Sequence, residues 1–355
     1  MQNDVVLEVR NLHTTFKLDE GMLKAVNDVS FILRKNRTLG IVGESGCGKS
    51  VTAQSILRIV PPPGKVSGEI MLHRDNEVLN LTDLPANSET LRNIRGKEIA
   101  MVFQEPMTAF SPIHTIGEQI TEAILVHEGV SSKIASKRAI EMLRRVGISN
   151  PEQRFDEYPN QLSGGMRQRA MIAMALILVP RVLIADEPTT ALDVTIQAQI
   201  LRLMKNLQDE MGMSIVFITH NLGVVANMAN DVAVMYLGRV VESGSVYQVF
   251  KNPLHPYTQA LMNSIPKVGR KMRTRLQAIS GNVPVPINPP ETCPFAPRCT
   301  RFIKNRCDSR VPDLIEAETD HFVRCVLYKT SEQNKMGLEL CRGKRSHRKA
   351  ILKPC

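Results

Sequence analysis

The sequence predicts an α/β fold built on a parallel sheet. Three observations carry that expectation. Apolar runs of strand length alternate with helical periodicity, one run opens into a glycine-rich loop followed by a helix, and another ends in two adjacent carboxylates. Segments 5–9, 31–33, 38–42, 99–103, 182–186, 215–219 and 232–235 read as strands. Between 105 and 165 strand signals fade, while 116–127 and 136–146 carry helical spacing, so a helical insertion inside the core is expected. Near Gly281 the chain turns proline-rich and begins to gather cysteines, which marks a boundary.

Size and charge narrow the classes. A chain of 355 residues holds two or three units. Its longest uncharged apolar stretch, 170–179, is about half of what a membrane-spanning helix requires. The N-terminus, MQNDVVLEVR, lacks the basic start, apolar middle and small-residue cleavage site of a secretory signal, so a cytoplasmic chain is expected. Of the net charge of +10, six units come from residues 329–355, which hold eight Lys/Arg against two Glu. Such a tail reads as a solvated basic end, and no specific nucleic-acid surface is expected.

Segment 38–42 leads into Gly43, Glu44, Ser45, Gly46, Cys47, Gly48, Lys49 and Ser50, with Val51 continuing into the helix. This is G-x4-G-K-S in strand, loop, helix order. Glycines let successive N–H groups turn inward on phosphate oxygens, and the helix start adds its positive dipole end. Lys49 is expected to reach the β and γ phosphates, and the Ser50 hydroxyl to ligate Mg²⁺. Cys47 reads as a small packing side chain.

The strand 182–186 closes on Asp186 and Glu187, two acids that are costly there unless a cation or a reaction uses them. Asp186 is the candidate Mg²⁺ group and Glu187 the candidate base for the attacking water. His220, after the strand 214–219, is placed to sense the γ-phosphate, and Gln104, after 99–103, to reach the metal or the water.

About twenty residues before Asp186 stands Leu162-Ser163-Gly164-Gly165-Met166, a second anion nest of a serine hydroxyl, two glycine N–H groups and a helix start. It resembles the signature motif of ABC (ATP-binding cassette) ATPases. The resemblance covers nearly the whole chain and implies a phosphate-loop NTPase cassette: a RecA-like core, an antiparallel β subdomain and a helical insertion, followed here by a small Cys-rich extension. By the same resemblance Phe16 is the adenine-stacking aromatic, Gln104 the Q-loop, Ala191, Leu192 and Asp193 the D-loop, and His220 the switch histidine. Met166 departs from the usual glutamine.

The stretch His255-Pro256-Tyr257-Thr258, together with DEPTTALDVT, is similar to the ATP-binding subunits of oligopeptide, dipeptide and nickel importers. That likeness implies ATP hydrolysis driving peptide or related solute import at the cytoplasmic membrane face. It also implies two permease subunits, a second cassette of the same or a similar kind packed head to tail, and an extracytoplasmic binding protein. The rival reading is a soluble ABC ATPase acting on nucleic acid or ribosomes, but the chain has one set of motifs and no sustained heptad run.

Cys293, Cys299, Cys307 and Cys325 fall within 33 residues of a chain expected in a reducing compartment, which favours a metal staple over disulfides. Their spacing does not choose between zinc, an iron–sulfur cluster and free thiols. The importer resemblance implies [4Fe-4S], with Zn²⁺ as the alternative. The expected organisation is an ATPase core at 1–104 and 166–250, a helical subdomain at 105–165, an extension with the cysteines at 251–328, and a basic tail at 329–355.

Overall fold

The computed structural model describes residues 4–190, 192–264, 279 and 281–328. The basic tail 329–355, with Cys341 and Cys355, lies outside the described residues, as does Ala191 of the D-loop. The chain forms two units, the first running to Arg239 and including Asn282–Pro289.

The first unit starts with a hairpin of two 14-residue strands, β1 (Val5–Leu18) and β2 (Gly21–Arg34). The wholly buried β3 (Thr38–Val42) follows and runs into the loop before α1 (Lys49–Ile56). β4 (Lys65–His73) and β5 (Val78–Asn80) complete an antiparallel sheet in the order β2-β1-β4-β5. Next come α2 (Glu89–Ile94), capped by the Ser88 hydroxyl, and β6 (Ile99–Val102). Four helices lie in the expected insertion, α3 (Pro106–Ala109), α4 (Ile116–Glu128), α5 (Ser132–Arg145) and α6 (Pro151–Phe155), and α7 (Gly164–Leu176) starts at its end and runs beyond it. The unit then adds β7 (Val182–Asp186), α8 (Val194–Met211), β8 (Ser214–Thr219), α9 (Leu222–Met228) and β9 (Asp231–Tyr236).

Five of these strands form a parallel array in the order β9-β3-β8-β7-β6. Every residue of β3, β7 and β8 is buried, as strands covered on both faces must be. The register sets Val42 beside Thr219, Asp186 beside Ile218 and Val102 beside Ala185, so four strand ends share one edge. The helical insertion has no separate core. Ile120 and Ile124 of α4, Leu143 of α5 and Met171 of α7 belong to one apolar cluster with Leu183 and Phe217 of the sheet.

Three readings are corrected. Only 5–9 and 31–33 of the first hairpin read as strand, because bulges break the two-residue alternation: register shifts at Val9/Leu12 and Leu12/His13 accompany left-handed Asn11 (φ 46°) and Asp28 (φ 66°). The β4 strand was not expected at all. Its Gly68 sits opposite the β1 bulge, where a Cβ would stand 2.3 Å from the Asn11 carbonyl oxygen. Helix α5 also begins four residues earlier than its apolar spacing indicates.

The second unit comprises the described residues from Val240 to Gly281 and from Pro290 onward. It holds β10 (Arg239–Ser245), α10 (Val246–Lys251), α11 (Pro256–Asn263), β11 (Ile315–Glu318) and β12 (His321–Val323), with the strands antiparallel in the order β11-β12-β10. The turn into α11 is held from inside. Both oxygens of the buried Glu242 carboxylate accept backbone N–H groups, from Leu254 and His255, each at 2.8 Å.

Candidate functional site

The loop between β3 and α1 is shaped by backbone that side chains would obstruct. A Cβ on Gly43 would stand 2.2 Å from the Met235 carbonyl oxygen, and one on Gly48 would stand 2.2 Å from that of Ala25. Gly46, at φ 79°, faces open space. Glu44 and Ser45 line the same turn, which the Cys47 N–H closes onto the Glu44 carbonyl at 3.3 Å. Cys47 itself is buried beneath Gly43, and burial pushes its thiol above the ordinary range, which fits a packing role.

Lys49 is the first residue of α1 and is buried. Its ammonium donates to the carbonyls of Gly43 (3.0 Å) and Glu44 (3.1 Å) and lies 4.0 Å from Glu187 Oε1. The Ser50 hydroxyl stands beside Asp186. Asp186 is itself buried and its Oδ1 has no hydrogen-bond partner. Burial raises its pKa, partly offset by Ser50 and Lys49. A buried carboxylate oxygen without a donor, beside a hydroxyl oxygen, is a donor set that fits Mg²⁺.

Glu187 follows β7 with φ 45°, a left-handed conformation uncommon for a residue with a side chain. Its N–H bonds the Ile218 carbonyl at 2.9 Å, which fixes the carboxylate over the strand ends. There it accepts from Gln104 Nε2 (3.3 Å) and the Thr190 hydroxyl (2.8 Å), with His220 Nδ1 at 3.1 Å from both oxygens. Burial pushes the Glu187 pKa up. The hydrogen bonds from His220 and Thr190 and the charges of His220 and Lys49 outweigh it, so the net value falls below the ordinary carboxylate range. Gln104, Lys49, Asp186, Glu187 and His220 therefore meet at one edge. Thr190 was missed by the sequence reading, although its spacing of three from Glu187 is the signal that could have found it.

Ser163 caps α7, accepting the Met166 N–H at 3.3 Å, and Ser163 and Gly164 are exposed. Gly165 packs near Ile196 of α8, whose cap is Asp193. The nest is thus a helix N-terminus open to solvent. Phe16 lies opposite Leu23, two residues before the C-terminal end of β1, and a Cβ on Gly64 would stand 2.8 Å from its ring.

The cysteines are partly as expected. Burial raises the thiols of Cys293 and Cys299 and pushes Cys325 up to about 11, and each of the other three cysteines adds to the Cys325 shift through its charge. Cys293 N–H bonds the Cys307 carbonyl, and the Arg301 and Ile303 N–H groups donate to the sulfurs of Cys299 (3.4 Å) and Cys307 (3.3 Å). Among the described residues, however, no group of three or more His, Cys, Asp or Glu is arranged to hold a metal ion. As placed, the four thiols do not form the expected cage.

No helix of the described residues is long and apolar enough to cross a membrane. Residues 26–190 match the family model described as ABC transporter, and residues 241–307 that of the oligopeptide/dipeptide transporter C-terminal region. A probable peptide ABC transporter ATP-binding protein of Sinorhizobium fredii is 50% identical over 91% of this chain and 95% of its own length. The oligopeptide transport ATP-binding protein OppD of Bacillus subtilis is 48% identical over 90% of this chain and 88% of its own. Among solved structures, the dimeric ABC transporter cassette MJ0796 superposes with a TM-score of 0.59 at 29% identity, covering 68% of this chain and 98% of the cassette. Relatives of this closeness extend through both units, so the chain belongs to the ATP-binding, ATP-hydrolysing subunits of ABC transporters that import peptides.

Proposed function

We propose that ATP is hydrolysed at the strand edge with Glu187 as the base for the attacking water. The observation that carries this is the Glu187 carboxylate itself, held by Gln104, Thr190 and His220 and standing 4.0 Å from Lys49. A carboxylate kept ionised and aimed by three donors can take a proton from water without first breaking its own orientation. Gly43–Ser50 cradles the triphosphate through backbone N–H groups, and Lys49 turns from its loop carbonyls to the β and γ oxygens. Ser50, Asp186 and Gln104 would hold Mg²⁺, which when bound neutralises charge on the phosphate oxygens. His220 fixes the carboxylate and senses the γ-phosphate.

The exposed nest of Ser163, Gly164 and Gly165 is read as closing on nucleotide held by a second cassette, a copy or a similar chain arranged head to tail. Phe16 is read as stacking on adenine. Closure would move the two helical segments and, through 105–112, the two permease subunits on the cytoplasmic membrane face, with an extracytoplasmic binding protein delivering the peptide. Replacing Glu187 by Gln tests the assignment: ATP binding is retained while turnover falls at least ~100-fold, the scale of a lost general base. Unchanged turnover removes Glu187 from that role.

For the cysteine loop we propose a [4Fe-4S] cluster, or Zn²⁺ in its place. Its support is the mutual charge coupling of the four thiols and the two N–H donors on sulfur. The loop must tighten to bind either. Anaerobic purification followed by counts of iron, sulfide and zinc decides it, and absence of all three leaves free thiols.

A further inference from the structure

The outer strand of the antiparallel sheet pairs with a segment from far down the chain. β2 stands at the edge of the order β2-β1-β4-β5, and Asn282–Pro289 belongs to the same unit. The Lys24 N–H donates to the Pro286 carbonyl (3.0 Å) and the Asn288 N–H to the Met22 carbonyl (2.9 Å), while Asn288 Oδ1 accepts the Met22 N–H (3.0 Å). These bonds bracket an antiparallel bridge between Leu23 and Ile287. The two bridged residues exchange no hydrogen bond with each other, which is the pairing that brings side chains closest, on one face of the sheet. Leu23 is in turn the partner of Phe16 across the hairpin. Phe16, Leu23 and Ile287 therefore make one apolar row, each partly buried, across three neighbouring extended segments.

Two contacts fix what that row borders. Thr14, two residues before Phe16 and so on the same face of β1, shares a 2.7 Å hydrogen bond with Ser55 of α1, which puts the row and α1 on one side of the sheet. Ala25, two residues along β2 from Leu23, sets its carbonyl oxygen where a Cβ on Gly48 would stand 2.2 Å away. Two strand residues span about 7 Å, so the row begins roughly one nucleoside's length from the phosphate loop. We infer that Ile287 contacts the base of the bound nucleotide, extending the apolar surface of Phe16 and Leu23 on which adenine lies. Asn288 holds it there by bonding both the N–H and the carbonyl of Met22 at the hairpin turn, and it fits only because Gly21 lacks a Cβ, which would stand 2.2 Å from Asn288 Nδ2. The segment touches the base end alone, so it adds to affinity for the nucleoside and not for the phosphates. This deepens the nucleotide reading and rests on Phe16 as the stacking aromatic, which the experiment tests separately.

The test titrates the full chain by calorimetry with a non-hydrolysable ATP analogue and, separately, with inorganic triphosphate, each with Mg²⁺. Ile287→Ala is expected to bind the analogue about fivefold more weakly, the loss of part of an aliphatic contact, and inorganic triphosphate as the wild type does. Ile287→Thr, which keeps the β-branch that suits an extended segment, gives the same split should the alanine variant fold poorly. Ile287→Leu keeps the apolar bulk and stays close to the wild type for both probes. Val285→Ser, at a neighbour that is 69% exposed, changes neither. Phe16→Ala is measured in parallel. Weakening of the analogue alone by both Phe16→Ala and Ile287→Ala supports the inference, and weakening by Ile287→Ala without Phe16→Ala supports it while removing the stacking role of Phe16. Weakening by Phe16→Ala alone keeps the stacking role and overturns the contact at Ile287, and no effect of either variant overturns both. Equal weakening of the two probes by Ile287→Ala, or a Val285→Ser effect as large, means a general loosening of the hairpin and overturns it as well.

Discussion

Nδ1 of His220 stands 3.1 Å from each carboxylate oxygen of Glu187, so a residue that ends one strand orients the acid that ends its neighbour. The consequence is a carboxylate whose pKa is held below its ordinary range although it is largely buried. Because a depressed carboxylate stays ionised as pH falls, the acid limb of ATP turnover is expected below the usual glutamate value. Replacing His220 by Ala removes the leading downward contribution and leaves burial, which acts upward. The acid limb then moves to higher pH, and turnover at neutral pH drops at least ~10-fold, part of the ~10²–10⁴ that a positioned base supplies. Nucleotide affinity stays near wild type. A pH–rate profile of the two proteins checks both statements, and an acid limb that does not move would detach His220 from Glu187.

Two glycines of the loop between β3 and α1 differ sharply in what a side chain would meet. A methyl group on Gly43 meets backbone, the Met235 carbonyl oxygen at 2.2 Å, and the Cys47 sulfur at 2.7 Å, and neither can swing aside. On Gly46 it meets nothing within 4 Å, and the penalty is only that of a left-handed Ala, about 1–2 kcal/mol. Gly43→Ala is therefore expected to disrupt the loop and abolish nucleotide binding, while Gly46→Ala folds with a modest loss of stability. Thermal unfolding without nucleotide separates the two. Equal damage would mean that the Gly43 contacts can relax.

Much of the site was legible because it depends on residues whose spacing is local. Lys49, Asp186, Glu187 and His220 each follow a short buried run, and a parallel sheet delivers strand ends to one edge whatever the loops do. Legibility failed where structure depends on pairing distant in sequence. The bulged β1–β2 hairpin hides its alternation, and β4 is half-exposed, with a glycine required by a partner 57 residues away, at Asn11. The anchoring role of Glu242 was equally hidden. A lone glutamate in an apolar strand gives no hint of the two N–H groups and the histidine that meet it from elsewhere.

In the second unit, His255 and Tyr257 grip one aromatic. The Phe295 ring lies 5.9 Å from the first ring and 5.3 Å from the second, and is 2% exposed. It sits between Cys293 and Cys299, so the HPYT segment anchors the cysteine loop by packing. Phe295→Ala is expected to cost about 3–5 kcal/mol of that unit's stability, as for other buried aromatics. Increased alkylation of Cys293 under native conditions reports the loosened loop. If Cys293 stays as protected as in the wild type, the anchor lies elsewhere.

The pH dependence of the same unit is set by two buried histidines of opposite behaviour. Burial lowers the His255 pKa to about 3, so this ring is folded only in its neutral form. As the unfolded chain takes up a proton below about 6.5, folding loses stability from there down towards pH 3. His321 is also buried and burial alone would lower its pKa. Hydrogen bonds and charges from Glu242 (2.9 Å) and then Glu318 prevail, and the net shift is upward. Its contribution is therefore fully present below the ordinary histidine value and is lost as pH rises through the raised one. Stability of this unit should pass through a maximum near neutrality. Glu242→Ala strips the buried imidazolium of its main partner and frees two backbone N–H groups, which costs about 3–5 kcal/mol. Replacing His321 as well, by an apolar residue of similar size, recovers part of that loss and removes the alkaline decline. Denaturant unfolding of the two variants between pH 5 and pH 9 measures it. An alkaline limb that survives in the double variant would place the titrating group outside the Glu242–His321 pair.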